Sequence, residues 1–320
     1  MVGKKRSAFA NDRRAYYYYT INNNSFCPSI TISDIATFNT PSWTLNNNTT
    51  ILLCQTLTIS LGATLIIPSG LTMTINGTIT NNGTIKNAGT ITINNTGIVN
   101  NTSTGIINNT YDSLSNVGII NNAGTINNDG VFSNSYTSSR LNNSGKFYNN
   151  ISGILRNESG ATFTNNNEAE LTNNGEIYGG TDSVLTEIIN NSGGQIYNNN
   201  KISLFVNNIF TNYGKITNVG NVNGYEFRIF NLAILNNNSG GIITNTDSGI
   251  IYIEGTVTNA SGGIIYNNNS ATISNDSTFT NSGTINSPAS SGGCGIGTIN
   301  GTNPITNTGT INTANNACPP

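Results

Sequence analysis

One phrase governs this chain. In Gly77-Thr78-Ile79-Thr80-Asn81-Asn82-Gly83-Thr84-Ile85-Lys86-Asn87-Ala88-Gly89-Thr90-Ile91, glycine, a polar residue, isoleucine, a polar residue and asparagine follow one another, then start again. Gly97-Ile98-Val99-Asn100-Asn101, Gly105-Ile106-Ile107-Asn108-Asn109 and Gly124-Thr125-Ile126-Asn127-Asn128 are close copies. Gly145-Lys146-Phe147-Tyr148-Asn149 and Gly263-Ile264-Ile265-Tyr266-Asn267 admit aromatics into the same frame. Apolar and polar residues alternate with a period of two, which marks a strand buried on one side. Each unit has six to eight residues, enough for one short strand and one turn.

A strand of that kind cannot hide its apolar side alone. About three units closing one coil, with coils stacked roughly 4.8 Å apart, would do so. The reading is therefore all-β: a parallel β-helix of on the order of a dozen coils, each of about 18 to 24 residues, rising about 55 to 65 Å. Unequal spacing disfavours a left-handed hexapeptide helix, whose units are strictly six, and favours a right-handed coil. Glycine and asparagine are expected at the turns, where they tolerate positive φ. Equivalent asparagines are expected to stack as amide ladders. Charges test the register. Lys86, Lys146, Arg156, Glu176, Lys201, Lys215 and Glu254 each adjoin an inward apolar residue, so all should face out.

The repeat divides the chain. Residues 1–20 form a basic, tyrosine-rich arm and residues 21–56 an N-terminal cap. Solenoid repeats fill residues 57–286, and residues 287–320 form a C-terminal cap. Exposed coil ends require atypical terminal units. The pattern loosens at Tyr111–Asn116, Tyr136–Arg140 and Gly179–Glu187, read as insertions, and at Asn221–Asn231, which holds Tyr225, Phe227, Arg228 and Phe230. In the arm, five of the 12 Lys and Arg residues fall within the first 14 positions. Lys4, Lys5, Arg6, Arg13 and Arg14, with Tyr16, Tyr17, Tyr18 and Tyr19 as rigid amphipathic anchors, are candidate subunit contacts. A solvated tail and an anion-binding segment are the other readings of the arm.

Composition narrows the function classes. Only 8% of residues are charged and the net charge is −2, so no nucleic-acid partner is expected for the body of the chain; only the basic arm could reach one. The low charge favours close lateral packing of neighbouring molecules, which makes the chain itself the first expected partner. There is no histidine, which removes the commonest general base and metal ligand. No metal, cofactor or enzymatic activity is expected. No apolar run reaches the roughly 18 residues of a membrane span. The basic start lacks an apolar stretch behind it and does not read as a secretory signal, so release would use another route, packaging or lysis.

The Asn-Asn-Gly-Thr-Ile phrase, and Ala63-Thr64-Leu65-Ile66-Ile67-Pro68-Ser69-Gly70-Leu71-Thr72-Met73-Thr74-Ile75 leading into it, resemble the β-solenoid repeats of surface adhesins. They also resemble the Asn-rich repeat proteins encoded by giant DNA viruses and some bacteria. The likeness covers roughly residues 57–313. It implies a structural, self-assembling fibre or outer-surface role, extracellular or on a virion, with a glycan-binding adhesin or attachment protein as the alternative. The missing secretory signal fits a viral or lysis-released product better than a bacterial adhesin.

Four cysteines allow three connectivities. Their positions favour Cys27 with Cys54 and Cys294 with Cys318, one bridge in each cap. Free thiols and intersubunit bridges are the alternatives. Glu168 and Glu170, two apart, would share a strand face, with Glu176 a turn later. Some parallel β-helices place polysaccharide-cleaving acids on such a face; a solvated surface is the simpler reading. Tyr148, Tyr178, Tyr197, Tyr252 and Tyr266 recur at one unit position, which suggests an outer strip for sugars or neighbouring subunits, or the filling of a flat sheet. Asn-x-Ser/Thr triplets such as Asn47-Asn48-Thr49, Asn76-Gly77-Thr78 and Asn94-Asn95-Thr96 follow from composition, and ladder positions could not accept a glycan.

Overall fold

The computed structural model describes residues 27–180, 182–220, 226–288 and 297–313. The chain is a parallel β-solenoid of about 12 turns. Three sheets run along it: sheet A with 14 strands, sheets B and C with 12 each. The chain visits A, B and C in turn, and each strand pairs in parallel with the strand three elements later. Met73 lies opposite Ile91 and Lys215 opposite Ile242, so a coil takes between 91 − 73 = 18 and 242 − 215 = 27 residues. The longer coils exceed the sequence expectation mainly in the connections between strands; the strands themselves lengthen by at most one residue, as in Lys215–Val219.

The first coil already uses Ser42–Leu45, Thr49–Ile51 and Thr56–Ile59. Ahead of it, Ala36–Asn39 pairs antiparallel with Ser42–Leu45 and covers the end of sheet A. One helical turn, Ile32–Ile35, precedes that hairpin. The Asp34 carboxylate accepts hydrogen bonds from the Thr31 hydroxyl and backbone N–H at 2.7 Å each, which holds its pKa below the usual value. Cys27 is bridged to Cys54. Cys294, Cys318 and the whole of residues 1–20 lie outside the described residues. Strands Thr298–Asn300, Thr306–Asn307 and Thr310–Asn312 stack on as the last coil.

Most strands have four residues, and their second and fourth side chains are buried. The second is apolar. One from each sheet fills a layer, as Ile126, Phe132 and Leu141 do, and each fully buried side chain stabilises the fold by about 1.5–3 kcal/mol. Phe132 meets Phe147 edge-on at 5.2 Å and Phe210 packs on Phe227 at 5.7 Å. All seven test charges point outward. Ser113–Asn116, expected within an insertion, is instead a regular strand with Leu114 buried.

The fourth inward residue is usually asparagine, and here the sequence reading needs correcting. These asparagines are not turn residues with positive φ; they end the strands and face the core. At the corner after sheet C, eleven of them from Asn81 to Asn307 form one unbroken ladder of 2.7–2.9 Å hydrogen bonds. At the corner after sheet A, nine from Asn87 to Asn267 do the same and end on Ser287. Each Nδ2 donates toward the C-terminal end, and many also donate to a backbone carbonyl one coil on, as Asn122 does to Lys146. A buried amide costs little only when both halves are paired. The first rungs expose the cost: Asn81, Asn87 and Asn116 Oδ1 have no partner, because Ile59, Ile67 and Ile93 lie opposite them. Third-position asparagines form shorter outer ladders of opposite direction, such as Asn142 to Asn121 to Asn100 at 2.9 Å.

The repeat glycines also have a different reason from the one expected. Positive φ is confined to others, such as Gly62 and Gly70. At Gly124 a Cβ would sit 2.2 Å from the Gly105 carbonyl oxygen, and at Gly145 2.2 Å from that of Gly124. Adjacent coils approach so closely at these corners that only hydrogen fits.

Candidate functional site

The third corner, after sheet B, breaks the rule. Its inward ladder runs through Asn116, Asn134 and Asn157 and then stops. Gly179, Leu204, Ile229 and Ile253 occupy the next four rungs before asparagine returns at Asn275. A Cβ at Gly179 would meet Asn208 Nδ2 at 2.7 Å, so the Asn208 side chain fills the space a rung would take. Asn208 is fully buried and neither amide atom has a partner among the described residues.

Outside this stretch the surface changes character. Phe205 and Phe230, just past the inward Leu204 and Ile229, are half-buried and stack with centroids 4.6 Å apart at 15°. Tyr178 packs on Phe205 at 5.9 Å. The Arg228 guanidinium lies 4.3 Å from the Phe230 ring centre and 4.9 Å from that of Tyr252. Lys201 and Arg156 stand 5.4 and 5.9 Å from the Tyr178 ring centre. Cations are drawn to ring faces by the quadrupole. These contacts make one column of rings and guanidinium along the axis.

Carboxylates are placed within this column. Arg228 donates to both oxygens of Glu254, at 3.0 and 2.8 Å, and pairs with Glu226 at 3.4 Å. The Glu254 hydrogen bond is the main reason the Arg228 pKa is raised. Asp276 accepts from the Thr302 N–H at 2.8 Å and hydroxyl at 3.0 Å, and from Tyr252. These bonds, that from Tyr252 first, lower the Asp276 pKa; the same contact raises that of Tyr252. Tyr178 donates to Glu176, and burial followed by this bond pushes its phenol up to about 12. Between Phe205, Phe230, Glu254 and Asp276 lies a cleft of about 760 Å³.

The sequence-level candidates fall as follows. The five recurring tyrosines do not make one strip: Tyr148, Tyr197 and Tyr266 are on sheet A, Tyr178 and Tyr252 on sheet B, and none pairs directly with another. Glu168 and Glu170 do not share a strand. Glu168 sits in the preceding turn with φ 62°, Glu170 begins a sheet A strand and Glu176 a sheet B strand. Among the described residues no cluster of three or more His, Cys, Asp or Glu could hold a metal ion, and no helix is long and apolar enough to cross a membrane. Nothing in the repeat pattern marks Phe205, Glu254 and Asp276 as one site. The signal lies beside them, in the replacement of the fourth-position asparagine by Leu204, Ile229 and Ile253.

No family model matches the chain, and no curated protein does. Among solved structures, it is similar to a TibC-catalyzed hyper-glycosylated TibA fragment. Identity is 16% over 88% of this chain and 94% of that one, with a TM-score of 0.37.

Proposed function

We propose that this chain is a structural, self-associating surface protein: a stiff rod that assembles with its own copies into a fibre or spike. The observation that carries this reading is the continuity of the stack. Two inward amide ladders run through nearly all the coils, which supports reading the chain as one stiff rod. The low charge of its flanks supports lateral packing. The Cys27–Cys54 bridge supports an oxidising, extracellular setting. The arm, Lys4 to Tyr19, is the proposed connector between copies. Electron microscopy of the full chain and of a chain lacking residues 1–20 tests this. Filaments from the first and single rods from the second are expected; single rods from both would refute self-association.

Attachment to glycans is a second reading, favoured by the aromatic cleft beside sheet B. The two readings are compatible, since a rod can present a binding face along its side.

A further inference from the structure

We infer that the cleft at the corner after sheet B binds a short neutral oligosaccharide. This inference rests on the attachment reading and not on self-assembly.

The argument starts from what the walls can offer. Phe205, Phe230 and Val206 supply half-buried or exposed apolar surface. Binding sites pair such a surface with a few fixed polar groups, and about 760 Å³ is within the usual range. The polar groups here are mostly acceptors: the Glu254 and Asp276 carboxylates, with the Asn231 amide and the Ser277 hydroxyl beside them. Both carboxylates are already oriented, Glu254 by two bonds from Arg228 and Asp276 by Thr302 and Tyr252. A carboxylate has about four lone-pair sites, so each retains acceptor capacity toward the cleft. Their orientation costs nothing further when a ligand arrives.

The complement of such a lining donates many hydrogen bonds, has an apolar face and carries no negative charge. A neutral pyranoside chain has all three properties: hydroxyls for the carboxylates, C–H groups for Val206 and the parts of the Phe205–Phe230 stack that Arg228 and Tyr178 leave open, and no charge for Asp276 to repel. An acidic sugar would be repelled by the Asp276 carboxylate, whose partners Thr302 and Tyr252 are neutral, whereas Glu254 is already paired with Arg228. A peptide that binds by adding a strand fits less well, because it would need a free strand edge. None is offered here. The corner N–H groups of Phe230, Ala233, Glu254 and Asp276 already donate to Leu204, Phe230, Ile229 and Ile253 carbonyls. The lining spans four successive coils, about 14 Å along the axis, which suits an oligosaccharide better than a single ring.

The test uses the full chain and defined probes: cellotetraose, maltotetraose, chitotetraose and mannotetraose, with tetragalacturonate as the acidic control and a tetralysine peptide as the cationic one. Binding is read by isothermal calorimetry and saturation-transfer NMR. At least one neutral tetraose is expected to bind, and tetragalacturonate is not. Phe230→Ala and the near-isosteric Asp276→Asn should each weaken binding at least tenfold, about 1.4 kcal/mol. Lys86→Ala, on sheet A, should leave it unchanged, and circular dichroism should show all three variants folded. Binding that ignores Phe230→Ala and Asp276→Asn would overturn this site while leaving attachment elsewhere on the rod. No binding by any neutral tetraose, or preference for tetralysine or tetragalacturonate, would overturn the saccharide assignment itself. Neither outcome bears on filament formation, which microscopy reads separately.

Discussion

Asn143 Nδ2 donates to Asn165 Oδ1 at 2.8 Å, one coil further on, and Asn143 Oδ1 accepts from Asn122 at 2.7 Å. Asn143→Ala therefore strands two buried groups, a donor on Asn122 and the acceptor of Asn165. Each costs about 1–3 kcal/mol, so a loss of about 2–5 kcal/mol is expected in chemical denaturation. Asn121→Ala, on the exposed outer ladder, should change stability by no more than about 0.5 kcal/mol. Equal effects would show that burial is not what gives the inner ladder its weight.

Gly124→Ala should cost at least about 3 kcal/mol, because the added methyl meets the Gly105 and Thr102 carbonyl oxygens at 2.2 and 2.3 Å. Gly70 makes the opposite case. Its φ is +81° and nothing lies within 4 Å of an added Cβ, so Gly70→Asn should cost about 1 kcal/mol or less. Thermal melts of the two variants rank them directly.

Reducing the Cys27–Cys54 bridge should loosen the N-terminal end and spare the middle. The bridge closes a loop with a separation of 27 residues, which corresponds to about 3.5 kcal/mol. Hydrogen exchange in 42–59 should accelerate on reduction while the strands near Ile126 and Ile188 keep their protection. Uniform acceleration along the rod would contradict a local role.

Tyr178 sets an alkaline limit. Its folded pKa, about 12, is above that of an unfolded tyrosine, about 10. Stability from the protonated phenol is thus fully present below pH 10 and is lost as pH rises through 12. The resonance of its ring carbon should titrate near pH 12, about two units above that of tyrosine in an unfolded chain. Tyr178→Phe should flatten the fall in stability between pH 10 and 12.

Much of this architecture was legible because strand periodicity is strict. Lys86, Arg156 and Lys215 fixed which face of each strand is wet, and the register followed. The role of the fourth residue was not legible. In Gly124-Thr125-Ile126-Asn127-Asn128 the two asparagines look alike, yet Asn127 is on the outside and Asn128 is enclosed; only the coil stack distinguishes them. Glycine misled for a similar reason: its usual licence is conformational, whereas Gly124 is needed for the clearance between coils. The cleft was harder still. Phe205, Phe230, Glu254 and Asp276 are far apart in sequence, and alignment along one corner requires knowing that coils there take between 22 and 25 residues.

The interrupted third ladder has a mechanical corollary. Two edges of the prism carry an inner line of short polar links; along the third, from Gly179 to Ile253, that inner line is broken and the polar links between coils, Arg228 to Glu254 and Tyr252 to Asp276, lie on the outside. Bending stiffness is then unequal in different directions. At that third edge neighbouring coils are tied by solvent-facing charged groups, whose grip salt weakens, rather than by enclosed amides.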